Sequence, residues 1–188
     1  MKIAVSGCAG IGKTTLAQGL AQALELPFIP EHYELFFDQP GKLNAPPERL
    51  IPLFKRVLGN KRAREAKHDA YVIDRCPIDL FNLWLSLGLS VKQEETREFY
   101  EKCRACSQDY DHVVVPPWGM FPLRQINDGH GYRGRTLDSW VQLRNHAAIC
   151  GLAWLWLPHD RLIALPQEQA PPEIRLAQAL ERIRAPRR

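Results

Sequence analysis

Eight consecutive residues, Gly7-Cys8-Ala9-Gly10-Ile11-Gly12-Lys13-Thr14, match the pattern GxxxxGK[ST] in full and constrain the chain more than any other feature. The pattern carries weight only between a strand and a helix, and both flanks comply. Lys2 to Ser6 is a short apolar run with β-branched residues, and Thr14 to Leu24 places Leu16, Leu20 and Leu24 at helical spacing with alanines between them. Glycines in such a turn let backbone amides point inward around phosphate oxygens. The helix that follows adds free amides and the positive end of its dipole.

The residue types around the turn name a ligand. Lys13 supplies a point charge for the β- and γ-phosphates, and the Thr14 hydroxyl fits one position on a magnesium ion. The expected ligand is ATP with Mg2+, its phosphates held by Gly7, Cys8, Ala9, Gly10, Ile11, Gly12, Lys13, Thr14 and Thr15.

Beyond the loop, strands and helices alternate. Pro27 to Pro30 fits a second strand ending near Glu31, and Pro46 to about His68 fits a long helix with Leu50, Leu53, Phe54, Val57 and Leu58 on one face. A third strand over Ala70 to Ile73 ends at Asp74, because Pro77 makes its continuation unfavourable. Helices are expected over Ile78 to Leu87 and Val91 to Ser107, then a strand over His112 to Val115. A helix over Leu137 to Cys150, a strand over Leu152 to Leu157 and a helix over Pro172 to Ile183 complete the chain. This order predicts an α/β fold in three layers, a five-stranded parallel sheet with helices on both faces. At 188 residues one domain is expected, with an arginine-containing lid over approximately residues 118–136.

Composition excludes several classes. The longest apolar runs, near Leu83 to Leu89 and Leu152 to Leu157, fall far short of the ~20 residues a membrane span needs. Val5-Ser6-Gly7-Cys8 imitates a lipoprotein cleavage box, but only Ile3 to Val5 precede it where about 7–15 apolar residues are needed. Five irregularly spaced cysteines argue against a disulfide framework, so a cytoplasmic location is expected. Cys103 and Cys106 form a CxxC pair with no second pair to complete a zinc site. A net charge of +4, carried by scattered arginines, suits a small anionic ligand better than a nucleic-acid groove.

Two acids fall where ligands bind in parallel sheets, beyond the carboxyl ends of strands. Asp74 suits a magnesium ligand and alternatively a helix cap ahead of Ile78. Glu31 suits a carboxylate that accepts a proton from an incoming hydroxyl, and alternatively a solvated loop acid.

With the phosphate loop, Pro30-Glu31, Asp74-Arg75, and Asp128-Gly129 followed by arginines, the chain resembles the P-loop kinases of nucleosides and nucleotides. Within them it is most similar to the small AAA-type ATPase-like group that includes bacterial nicotinamide riboside kinase domains. That resemblance implies that Arg75 contacts substrate or bridging phosphates, and that Arg124, Arg133 and Arg135 form a lid over the transferred group. Glu31, His32, Arg75 and Arg124 are the residues expected near the acceptor. The group often shows an arginine soon after the second-strand acid, where this chain has His32-Tyr33-Glu34.

Gly129 to Gly134 also fits GxGxxG, but Pro116 to Asp128 separate it from the preceding strand, which favours the lid over a dinucleotide turn. Trp118, Phe121, Phe36 and Phe37 suit either stacking on a base or core filling. The expected activity is ATP- and Mg2+-dependent phosphoryl transfer to a nucleoside, nicotinamide riboside or nucleoside monophosphate. Lys13, Arg133 and Arg135 would stabilise the moving group, Thr14 and Asp74 hold the metal, and Glu31 or Asp74 take the proton. A regulatory ATPase that signals to a protein or nucleic-acid partner is the alternative.

Overall fold

The alternating apolar segments form five short strands in a computed structural model that describes residues 1–31, 33, 42–119, 138–166 and 170–186. In chain order the elements are β1 (Lys2–Val5), α1 (Lys13–Ala23), β2 (Phe28–Ile29), α2 (Pro47–Glu65), β3 (Tyr71–Asp74), α3 (Pro77–Ser86), α4 (Gln93–Ser107), β4 (His112–Val115), α5 (Ser139–Trp156), β5 (Leu162–Ala164) and α6 (Pro172–Arg184). The strands pair in parallel in the order β2-β3-β1-β4-β5, with β1 at the centre.

Alternation along each strand splits the core between the two faces of the sheet. Ile3 and Val5 of β1, Val72 of β3 and Val114 of β4 join Leu16, Leu20, Ala179 and Ile183 under α1 and α6. Ala4, Tyr71, Ile73, Val113 and Val115 face the other way, onto side chains of α2, α3, α4 and α5. On that second face Phe54 meets Trp84 and Phe99 edge-on, and Trp84 stacks on Phe99 with centroids 4.5 Å apart. The result is the expected three-layer P-loop architecture, with the carboxyl ends of β1, β2 and β3 turned to one rim.

One expected strand is corrected. Leu152 to Leu157 lie at the end of α5 and just past it, and the fifth strand is Leu162–Ala164. Burial along this segment comes in pairs: Leu152 and Ala153 buried, Trp154 and Leu155 exposed, Trp156 and Leu157 buried. That is helical rather than period-2 spacing. Gly151 does not break the helix, because a glycine in a helix interior costs only about 1 kcal/mol relative to alanine. Pro158, two residues past the last helical residue, turns the chain back towards the sheet.

Candidate active site

The phosphate loop connects β1 to α1, and its shape requires glycine. Gly10 and Gly12 hold φ of +80° and +82°. At Gly7, φ is +148° and a β-carbon would stand 2.5 Å from Ile11 Cδ1. Gly12 precedes α1 with no side chain capping the helix, and no acid stands in its first turn. The loop therefore meets a helix N-terminus suited to an anion.

Lys13 is buried, and its Nζ donates to the Cys8 carbonyl at 2.7 Å, reaching back across the loop. Burial, aided by the nearby Arg75 charge, lowers its pKa to about 8, while Asp79, Asp74 and Glu31 act in the opposite sense. Burial also raises the Cys8 thiol to about 11, so it stays protonated near neutral pH.

Thr14 and Asp74 meet, as the hydroxyl of Thr14 donates to Asp74 Oδ2 at 2.5 Å. The second Asp74 oxygen, Oδ1, is buried and has no hydrogen-bond partner among the described residues. Burial raises the Asp74 carboxyl pKa, against the pull of Lys13 and the Thr14 hydrogen bond. A hydroxyl beside a buried carboxylate with a spare oxygen is a hard-oxygen donor set that fits Mg2+. Asp74 is not the cap of α3. That position belongs to Cys76, whose amide donates to Asp79 at 3.0 Å.

Arg75 follows Asp74 in the left-handed conformation, with φ +64°, which is uncommon for a residue other than glycine. Its Nε donates to Glu31 Oε2 at 2.5 Å, which brings the ends of β2 and β3 together. Its guanidinium carbon lies 5.4 Å from the centroid of the Tyr33 ring. Burial works against the arginine charge, but Glu31 and Asp79 outweigh it and raise the pKa further.

Sequence reasoning missed Asp79. Its fully buried carboxylate accepts from Ser6 Oγ at 2.7 Å, from the Gly7 amide at 3.1 Å and from Cys76 N, and lies 3.7 Å from Arg75 Nη1. One side chain thus joins the first amide of the phosphate loop to the Asp74-Arg75 segment. The available signal was an acid three residues after the cap with Pro77 between, the spacing of a capping box. Arg175 was also missed. From α6 it donates to the Ile11 carbonyl at 3.1 Å, a contact 164 residues apart in sequence that no local pattern announces.

Of the predicted residues, the structure brings together Gly7 to Thr14, Glu31, Asp74 and Arg75, while Thr15 is exposed on the first turn of α1. His32, Arg124, Arg133 and Arg135 lie outside the described residues, as do Phe36, Phe37, Phe121 and the GxGxxG segment. Trp118 is half-buried just past β4. Cys103 and Cys106 lie on α4, with Cys103 packed into the core. No helix among the described residues is long and apolar enough to cross a membrane.

Solved structures share this architecture. Deoxyadenosine kinase from M. mycoides superposes with a TM-score of 0.68 at 12% identity, covering 97% of this chain and 98% of that one. The NadR protein in complex with NR gives 0.66 at 16% identity over all of this chain, which spans about half (52%) of NadR. Shikimate kinase from Acinetobacter baumannii gives 0.54 at 16% identity, covering 96% of this chain and 90% of that one. At such identities the likeness shows the fold. No curated protein matches the chain in sequence. The AAA domain family model matches residues 2–148, and the chain belongs to that family.

Proposed function

We propose that this AAA-domain chain transfers the γ-phosphoryl group of ATP to a hydroxyl or phosphate oxygen of a small metabolite, with a nucleoside, nicotinamide riboside or a nucleoside monophosphate as favoured acceptors. The observation that carries this reading is the meeting of two pairs at one rim of the sheet. Thr14 and Asp74 sit beside the phosphate loop, and Arg75 and Glu31 sit beyond it. A chain that only bound nucleotide needs the first pair, whereas transfer needs a second set of groups to hold an acceptor in line. The deoxyadenosine kinase and NadR folds support the choice of acceptors by analogy.

In this reading the loop amides and the Lys13 ammonium hold the β- and γ-phosphates. Thr14 and Asp74 hold Mg2+, which neutralises charge on the phosphate oxygens when bound. Arg75 faces the equatorial oxygens of the moving group, where charge spreads during transfer. The bond between the γ-phosphorus and its bridging oxygen breaks as the acceptor oxygen bonds to phosphorus, and the acceptor's proton leaves to a carboxylate or to water. Glu31 is better placed than Asp74 to receive the acceptor hydroxyl, because Asp74 is committed to Thr14 and the metal side. Its contact with Arg75 fixes the direction of the Glu31 carboxylate, and a loose transition state asks mainly for orientation. Arg124, Arg133 and Arg135 are assigned to a lid.

The test is Mg2+-dependent ADP release from ATP, with and without each member of a panel of nucleosides, nicotinamide riboside, monophosphates and oligonucleotides. Stimulation by one acceptor, with the phosphorylated product identified by mass, is the expected result. Slow release that no acceptor stimulates overturns the reading in favour of the regulatory ATPase.

A further inference from the structure

We propose that Lys61 is a positioning residue for this transfer, its buried ammonium fixing the left-handed backbone at Arg75 that faces the Arg75 side chain to Glu31. The inference rests on the phosphoryl transfer proposed above, in which Arg75 touches the reacting phosphates.

A non-glycine residue in the left-handed region costs about 1–3 kcal/mol and persists only where its surroundings hold it. At Arg75 two contacts do so. Its amide donates to the Val5 carbonyl at 2.9 Å, continuing the β1–β3 pairing one residue past the strand. Its carbonyl accepts from Lys61 Nζ at 2.7 Å. Lys61 comes from α2 and is only 9% exposed, so its charge sits where an unpaired ammonium would be strongly unfavourable.

A buried relay compensates that charge. Glu65, one turn further along α2, lies 3.2 Å from Lys61 Nζ. Tyr110, itself fully buried, donates its hydroxyl to Glu65 Oε1 at 2.5 Å, and Arg62 donates to Oε2 at 2.8 Å. Burial lowers the Lys61 pKa, and Glu65 is the leading opposing influence. An apolar side chain would fill this space with no charge to compensate. What the ammonium adds is its hydrogen bond to one carbonyl, that of the residue between the metal-side Asp74 and the cap of α3. The turn so held leaves Asp74 on Thr14 and Arg75 on Glu31.

The experiment combines Lys61→Met with an Arg Nε–Hε resonance. In 15N-labelled protein the Arg75 signal is assigned by its loss in Arg75→Lys. In Lys61→Met it is expected to shift or broaden beyond detection. With the best acceptor, kcat is expected to fall about tenfold while the KM for ATP stays within about twofold, as for a misplaced group. Adding Lys61→Met to Arg75→Met should cost less than a further twofold. Should Lys61→Met fold poorly, Lys61→Met/Glu65→Gln removes both charges of the pair and is read the same way. An unmoved Arg75 resonance in a folded variant, a kcat within twofold of wild type, or fully multiplicative losses with Arg75→Met overturns the inference. Full activity of Arg75→Met, or no transfer by the wild type, instead sinks the transfer reading, and the resonance then decides the role of Lys61 alone.

Discussion

The phosphate loop draws its shape from eight contiguous residues and their glycines, whereas the Glu31–Arg75 side is assembled from partners 44 residues apart in sequence. In the proposed reading the loop's ligand groups are mainly backbone amides, so binding depends on conformations that glycine alone adopts comfortably. The other side depends on side-chain charges whose placement is decided by a left-handed residue, a buried carboxylate and a lysine from a distant helix. The first construction suits a ligand part common to every nucleoside triphosphate. In the proposed transfer, the second leaves room to vary the acceptor while keeping the loop.

Removing one group from each region should separate them. The largest effect is expected for Lys13→Ala, with turnover falling by about 10²–10³-fold for every acceptor, since one preorganised charge on the phosphates is lost. Steady-state rates with circular dichroism as a folding check measure this. A similar loss confined to one acceptor would break the assignment of Lys13 to the common part.

Asp79→Asn tests the joint between the regions. The amide group must replace one oxygen that now accepts Ser6 Oγ and Cys76 N, or the one that accepts Gly7 N. One buried donor then faces another. Denaturant unfolding should show a loss of about 2 kcal/mol, with weaker binding of ATP. Unchanged stability would mean that the two regions are held independently.

Glu31→Gln should raise the KM for the acceptor by about tenfold and leave that for ATP unchanged, because a hydrogen bond to a charged group contributes about 1.5–3 kcal/mol. An altered KM for ATP alone would move Glu31 to the phosphate side.

The smallest effect is the pH dependence of the loop. The pKa of Lys13, lowered to about 8 from 10.5, means the folded chain holds this proton less tightly than the unfolded one. Its contribution to stability therefore rises with pH between those values. ATP affinity has the opposite sign, since the phosphates need the ammonium, and should fall by up to about tenfold per unit above pH 8. Calorimetry at pH 7.5 and 9 checks this, with Lys13→Ala as the variant in which the slope disappears.

Much of the fold was legible because its signals are local. The strand–loop–helix at the N-terminus, the stop at Asp74 before Pro77 and the apolar run of β4 each lie within a few residues. The misassigned strand at Leu152 to Leu157 shows where such signals fail. A short apolar run does not reveal its period until one knows which residues are covered, and here α1 and α6 cover one sheet face while α5 lies on the other.

The sequence by itself determined the phosphate loop, its lysine and threonine, and the two acids at strand ends, because each follows from residue type at a short spacing. Only the tertiary structure decided that Asp74 faces Thr14 while Arg75 faces Glu31, that Asp79 joins both to the loop, and that Lys61 and Arg175 reach the site from distant helices. The reason is physical: backbone conformation is set over a few residues, whereas the burial that makes a side-chain charge seek one partner exists only after the layers have packed.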